Sequence, residues 1–176
     1  FPAIEPFRFT APFETLRAQS ERLAAARGDA PRIFMATLGS AASFTARATF
    51  AKNFFEAAGI EAPIGDGYIC NGDTDMNTLI AAFKRSDCSV VCICGSDDDY
   101  WSVPDEAVHT DDTLVEQVAR TLKREGAALV ALAGKPGIRE IALQQSGIDQ
   151  FIFAGCDVAH VLEQCMADRS HRLGVN

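Results

Sequence analysis

At 176 residues and 48% hydrophobic content the chain is sized for one domain with one sizeable core, and disorder is expected only at its ends. A net charge of −8 argues against nucleic acid, whose phosphates demand a basic surface, and against an anionic membrane surface. No apolar run approaches the roughly 18–20 residues of a membrane span, and no secretory leader pattern opens the chain. The first residue is Phe1, which suggests a processed chain or a piece of something longer. Of the six cysteines, Cys88, Cys92 and Cys94 lie in or beside the apolar run SVVCICG. They read as small buried hydrophobes in a reducing, intracellular setting, and the expected location is cytoplasmic. Their spacing matches no zinc pattern.

In chain order, residues 1–9 (FPAIEPFRF) carry two prolines and read as an extended arm that lies on another surface. Thr10 has the character of a helix N-cap, and Phe13, Leu16, Ser20 and Leu23 mark one stripe of a helix over 11–27, stopped by Gly28. Strand and helix then alternate. A buried strand over 33–38 leads to a helix over 44–58, and a short, proline-bearing edge strand is predicted over 60–64. Residues 65–72 read as a turn region, followed by a helix over 74–85 and an apolar strand over 89–94. A polar loop over 95–110 precedes a helix over 111–125. A strand over 128–132, a helix over 138–145, a strand over 151–153 and a helix over 157–167 complete the domain, placed at 10–168, with a frayed tail over 169–176.

Five strands alternating with helices, several continuously hydrophobic, predict an α/β fold. The expected form is a flavodoxin-like (Rossmann-like) five-stranded parallel sheet of order 2-1-3-4-5, with helices on both faces and an N-terminal helix before it. In such a sheet ligands bind beyond the carboxyl ends of the strands. That rim is formed by residues 39–43, 95–102, 134–137 and 155–157, with Gly39, Gly95, Gly134 and Gly155 at the strand ends. The glycines fit close approach of a ligand or simply the tight turns of short βα connections.

The corner LGSAASFTA after the first strand offers one glycine, Gly39, where a dinucleotide site needs three, and no Gly-Lys-Ser/Thr loop exists. A phospho-acceptor pocket would need acids after the first strand, and none stands there. From Asp97 to Asp112 the chain carries seven acids without a lysine or arginine, which reads as a solvated loop or a cation site. Tyr100 and Trp101 in that loop fit packing on a ligand or partner, or plain loop packing. His109, His160 and His171 are scattered, with surface placement as the default, and no Ser or Cys has a base beside it in sequence. No catalytic residue and no metal site is read from the sequence. The helix over 44–58 is apolar around most of its circumference. It suits either burial against another domain or subunit, or a deep-core position.

The phrases ARATFAKNFFEAAGIEA, VCICGSDDDYW, VALAGKPG and GIDQFIFAGCD resemble the C-terminal, cobalamin-binding-type domain of methylmalonyl-CoA mutases, most closely that of the small, non-catalytic subunit. The resemblance covers roughly residues 10–168, and it implies that the arm over 1–9 is a linker arriving from a preceding domain. It implies a complex that interconverts methylmalonyl-CoA and succinyl-CoA with adenosylcobalamin, held by a catalytic large subunit as heterodimeric partner. The family's working domain carries Asp-x-His-x-x-Gly after the first strand, the His ligating cobalt and the Asp holding that His. Aligned through the following helix, these positions fall on Ala42, Phe44 and Arg47, and the family's supporting lysine falls near Thr37 or Leu38. The resemblance therefore implies the frame and the partner but no cofactor on this chain. It leaves a vestigial groove at Gly39, Phe44, Ser96, Gly134 and Gly155, in a structural subunit domain that is itself non-catalytic. The alternative is a module that keeps a modified cobalamin, nucleotide or acyl-CoA site at the same rim.

Overall fold

The computed structural model describes residues 11–70, 73–74, 76–103 and 112–173. The arm over 1–9, the cap Thr10, His109 and the acids Asp105, Glu106 and Asp111 lie outside the described residues. The chain begins with α1 (Ala11–Arg27), β1 (Phe34–Thr37) and α2 (Ala41–Glu56). A small antiparallel pair, β2 (Ile69–Cys70) and β3 (Asp73–Thr74), leads to α3 (Met76–Ser86) and β4 (Val90–Cys94). Then come α4 (Asp97–Trp101), α5 (Leu114–Arg124), β5 (Leu129–Ala133), a 3-10 turn Gly137–Arg139 with α6 (Glu140–Gln145), β6 (Gln150–Ile152) and α7 (Val158–Leu173).

The main sheet is parallel and four-stranded, in the order β1-β4-β5-β6. This corrects the five-stranded expectation. The run 60–64 makes only one parallel bridge, Arg32 with Glu61, and Pro63 cannot supply the next ladder donor. Other boundaries differ as well. Helix α2 starts at Ala41, three residues early, because Ser40 is already extended and ends the turn. The polar run after β4 contains helix α4, started by a capping box between Ser96 and Asp99. The last helix continues to Leu173, past the point where fraying was expected.

The strands are apolar throughout because both faces are covered. Residues Phe34, Ala36, Val91, Ile93, Val130 and Leu132 point to one face, onto α3, α5 and α6. Residues Met35, Cys92, Cys94, Ala131 and Ala133 point to the other, onto α2, α1 and α7. The second cluster explains the wide apolar girth of α2. Its Phe44, Ala48, Ala51, Phe54 and Phe55 are buried inside this chain's own core. Helix α1 locks onto the end of α2, with Ser20 Oγ donating to Gly59 C=O at 2.6 Å and Arg17 Nε to Ala57 C=O at 2.9 Å. Among the described residues the deep-core reading of α2 holds, and no helix is long and apolar enough to cross a membrane.

The contrast along α2 is testable. Phe55 is fully buried, whereas Phe50 is 38% exposed. Phe55→Ala should cost about 3–5 kcal/mol in urea unfolding. Phe50→Ala should stay within about 1 kcal/mol. Equal losses would contradict this packing.

Candidate functional site

The site-bearing edge is the carboxyl end of the sheet, and it divides into two corners. The first is built on Gly39, between β1 and α2. Gly39 has φ +83°, and a side chain there would stand 2.6 Å from Asp99 Oδ1 and from Ser43 Oγ. Asp99 is fixed by the α4 cap: its Oδ2 accepts from Ser96 N–H at 3.0 Å and from Ser96 Oγ at 2.6 Å. On the other side the segment 66–68 folds over the end of β1. Tyr68 N–H donates to Thr37 C=O at 3.0 Å, and Thr37 Oγ1 donates to Asp66 C=O at 2.8 Å. A side chain on Gly67 would lie 2.2 Å from Gly39 C=O and 3.1 Å from the Phe44 ring, so only glycine fits. Phe44 is buried at 4% exposure beneath this cover.

The second corner lies between the ends of β4 and β5, and its centre is Tyr100. This phenol is buried on α4 and accepts Gly95 N–H at 2.9 Å. Its own proton is shared between Ile93 C=O at 3.1 Å and Ala133 C=O at 3.0 Å. Burial pushes its pKa well above the ordinary phenol value of 10.0. Arg47, from α2, spreads over the Tyr100 ring with its guanidinium carbon 4.9 Å from the centroid. It donates to Gly95 C=O at 2.8 Å and to Asp97 Oδ1 at 2.6 Å. Partial burial alone would lower its pKa, but the Asp97 hydrogen bond and nearby negative charge outweigh this and raise it. The same guanidinium lies 3.8 Å from where a Gly134 side chain would stand.

Of the rim residues read from sequence, Gly39 and Ser96 meet around Asp99, and Gly134 faces Arg47. Phe44 sits under the first corner and does not reach the second. Gly155, in the turn after β6, has nothing within 4 Å of its missing side chain. Arg47 and Gly67 do the filling; the bulky cation of Arg47 where the resemblance places a glycine is readable from the sequence, and the part of Gly67 is not. Tyr100 resolves toward packing. Trp101 does the same, with Arg139 stacked 5.3 Å over its ring. Within the acidic run, Asp97 pairs with Arg47 and Asp112 with Arg120.

Beyond Arg47 a cavity of about 380 Å³ remains, lined by Phe50, Gly134, Lys135, Ile152 and Phe153 among others. Lys135 Nζ lies 5.5 Å over the Phe153 ring. Among the described residues no group of three or more His, Cys, Asp or Glu side chains could hold a metal ion. Cys88, Cys92, Cys94, Cys156 and Cys165 are free thiols, and burial pushes Cys92 well up from its ordinary value, away from the thiolate that nucleophiles and metal ligands need.

No family model matches the chain. It aligns over 163 residues, 93% of its length, at 39% identity with a methylmalonyl-CoA mutase small subunit of Streptomyces virginiae. The chain is homologous to the methylmalonyl-CoA mutase small subunits. A probable methylmalonyl-CoA mutase small subunit of Mycobacterium bovis is 31% identical over 160 residues, 90% of this chain. The chain spans only 22% and 23% of the lengths of these two mutase subunits. A solved cobalamin-binding protein from Desulfitobacterium hafniense DCB-2 superposes with a TM-score of 0.48 at 19% identity, over 88% of this chain and 66% of that one.

Tyr100→Phe removes one hydroxyl and leaves Gly95 N–H and two strand-end carbonyls to compete for no partner. It should cost about 1–3 kcal/mol in urea unfolding. The phenol pKa values of both Tyr68 and Tyr100 are raised by burial, so their stabilising effect is complete below pH 10 and is lost as pH rises beyond it. An alkaline titration should show the tyrosinate absorbance of Tyr100 developing only together with unfolding. Ionisation of Tyr100 in the folded chain near pH 10 would contradict its burial.

Proposed function

We propose that this chain is the cobalamin-binding-type domain of a methylmalonyl-CoA mutase small subunit, spanning residues 10–168, in which the rim serves structure and no longer grips cobalt. Its partner would be a catalytic large subunit carrying adenosylcobalamin and interconverting methylmalonyl-CoA and succinyl-CoA. The observation that carries this reading is Arg47, whose guanidinium occupies the space between the Gly95 and Gly134 turns and is held by Asp97, Gly95 and the Tyr100 ring.

The residues at the first corner do not fit a cobalt-bound cofactor. Phe44, where the family carries its ligating histidine, offers no lone pair and is buried against the Gly67 segment. Ala42 cannot hydrogen-bond a ring nitrogen. Gly67 lies against Gly39 C=O, so the corner is covered by the chain's own backbone. The role left to the domain is to complete and stabilise the complex.

A second reading is favoured by the cavity beside Arg47. Its basic and aromatic lining, from Lys135, Phe50 and Phe153, suits a nucleotide or acyl-CoA fragment.

One experiment separates the two. Cobalamin titrated into the chain should leave the visible spectrum of the cofactor unchanged, and stoichiometric binding with a spectral shift would overturn the structural reading. Run alongside, ATP and coenzyme A should leave thermal stability unchanged under the first reading. Under the second, a true ligand at 100 times its Kd adds about 2.7 kcal/mol.

A further inference from the structure

Arg47 is held by contacts of two kinds. Its Nη1 donates to Gly95 C=O at 2.8 Å, and its guanidinium carbon lies 4.9 Å from the centroid of the buried Tyr100 ring. Both partners are fixed parts of the fold. Its Nη2 donates to Asp97 Oδ1 at 2.6 Å, and that partner is free to leave. The Asp97 side chain is 68% exposed, against 29% for Arg47. The capping box that starts α4 is made by Ser96 and Asp99, so the Asp97 carboxylate can turn into water without undoing the helix. An ion pair this exposed is worth no more than about a fivefold factor in an equilibrium.

Both members of this pair line the cavity of about 380 Å³ at the ends of β5 and β6, a volume within the range of small-ligand sites. Lys135 lines it too, as a second cation, with its Nζ 5.5 Å from the centroid of the Phe153 ring. Gly134, the residue before it, brings no side chain into the space beside Arg47, where a Cβ would stand 3.8 Å from the guanidinium carbon. Phe50, Ile152 and Phe153 give the cavity an apolar, partly aromatic wall. Among the described residues Asp97 is the one acid in its lining.

We infer that Asp97 is a built-in competitor for Arg47, and that the cavity takes a phosphorylated ligand whose phosphate displaces it. The inference rests on the second reading, in which the cavity beside Arg47 holds a ligand. A carboxylate on the incoming molecule would gain little, because it would replace an equivalent group already tethered at high local concentration. A phosphate carries close to two charges and three acceptor oxygens. It accepts from Arg47 Nη2 and pairs with Lys135 at once. The body of the ligand is flat and apolar, to lie against Phe50 and Phe153. Arg47 stays in place throughout, held by Gly95 and Tyr100, and Asp97 is the part that moves. A molecule with the same ring but no phosphate leaves the pair closed.

The test titrates ADP into the whole chain by calorimetry in magnesium-free buffer, with adenosine as the phosphate-free control. Asp97→Asn removes the competing charge and should tighten ADP binding about fivefold. Asp98→Asn removes the same charge one residue on, from an exposed side chain outside the cavity lining, and should change binding less than about twofold. Lys135→Gln should weaken ADP about tenfold by removing a charge-assisted contact. Adenosine should bind Asp97→Asn no more tightly than the unchanged chain, and on an Arg47→Gln background the gain from Asp97→Asn should vanish. ADP binding that responds alike to Asp97→Asn and Asp98→Asn, or to neither, overturns the inference and leaves the cavity as a ligand site. Absence of ADP and adenosine binding in every variant overturns the second reading and the inference together.

Discussion

The rim of this domain hangs on the hydroxyl of Tyr100. One buried oxygen receives the Gly95 N–H and faces the last carbonyls of both central strands, so it ties β4 to β5 where their ladder ends. Backbone groups at that depth are costly to leave unpaired. The phenol can reach them only because α4 begins at once after β4, and α4 begins there because Ser96 and Asp99 cap each other. The ring then supplies the face on which Arg47 lies, and Arg47 in turn fixes Asp97. A cap, a phenol and a guanidinium thus convert the acidic segment after β4 into a packed corner.

Much of this frame is legible in the sequence. Runs such as VVCIC and LVALA have no polar face and so must be central strands, and both are buried at every position. The stripe of Phe13, Leu16, Ser20 and Leu23 predicts a helix over 11–27, the span observed for α1. The edge is where pattern reasoning fails. Apolar content over 60–64 looks like a strand, but a strand exists only if its ladder closes, and Pro63 together with the bow to Tyr68 leaves one bridge. Local chemistry hid α4 as well, since three successive aspartates read as a solvated loop until their capping partner is counted.

The candidate site is legible mainly through what stands at its positions. Ala42, Phe44 and Arg47 lie on one helix, where the resemblance places the family's cofactor positions, and that directs attention to the corner after β1. Sequence spacing does not say where a long flexible side chain goes. Phe44 turns into the core, and it is Arg47, one helical turn on, that reaches across to Gly95 and Gly134. Gly67 is less legible still, since its importance comes from a neighbour 28 residues away, Gly39, whose carbonyl it nearly touches.

These two closures make the carboxyl edge of the sheet a supported surface. The central claim is that Arg47 is a fixed post in the groove and not a mobile surface arginine. It is tested most directly by NMR of its guanidinium in the folded chain. Slow exchange of the guanidinium protons, with through-space contacts from them to the Tyr100 ring, is the predicted result. Averaged signals with free rotation and no contact to Tyr100 would contradict it, and would return the groove between Gly95 and Gly134 to open space.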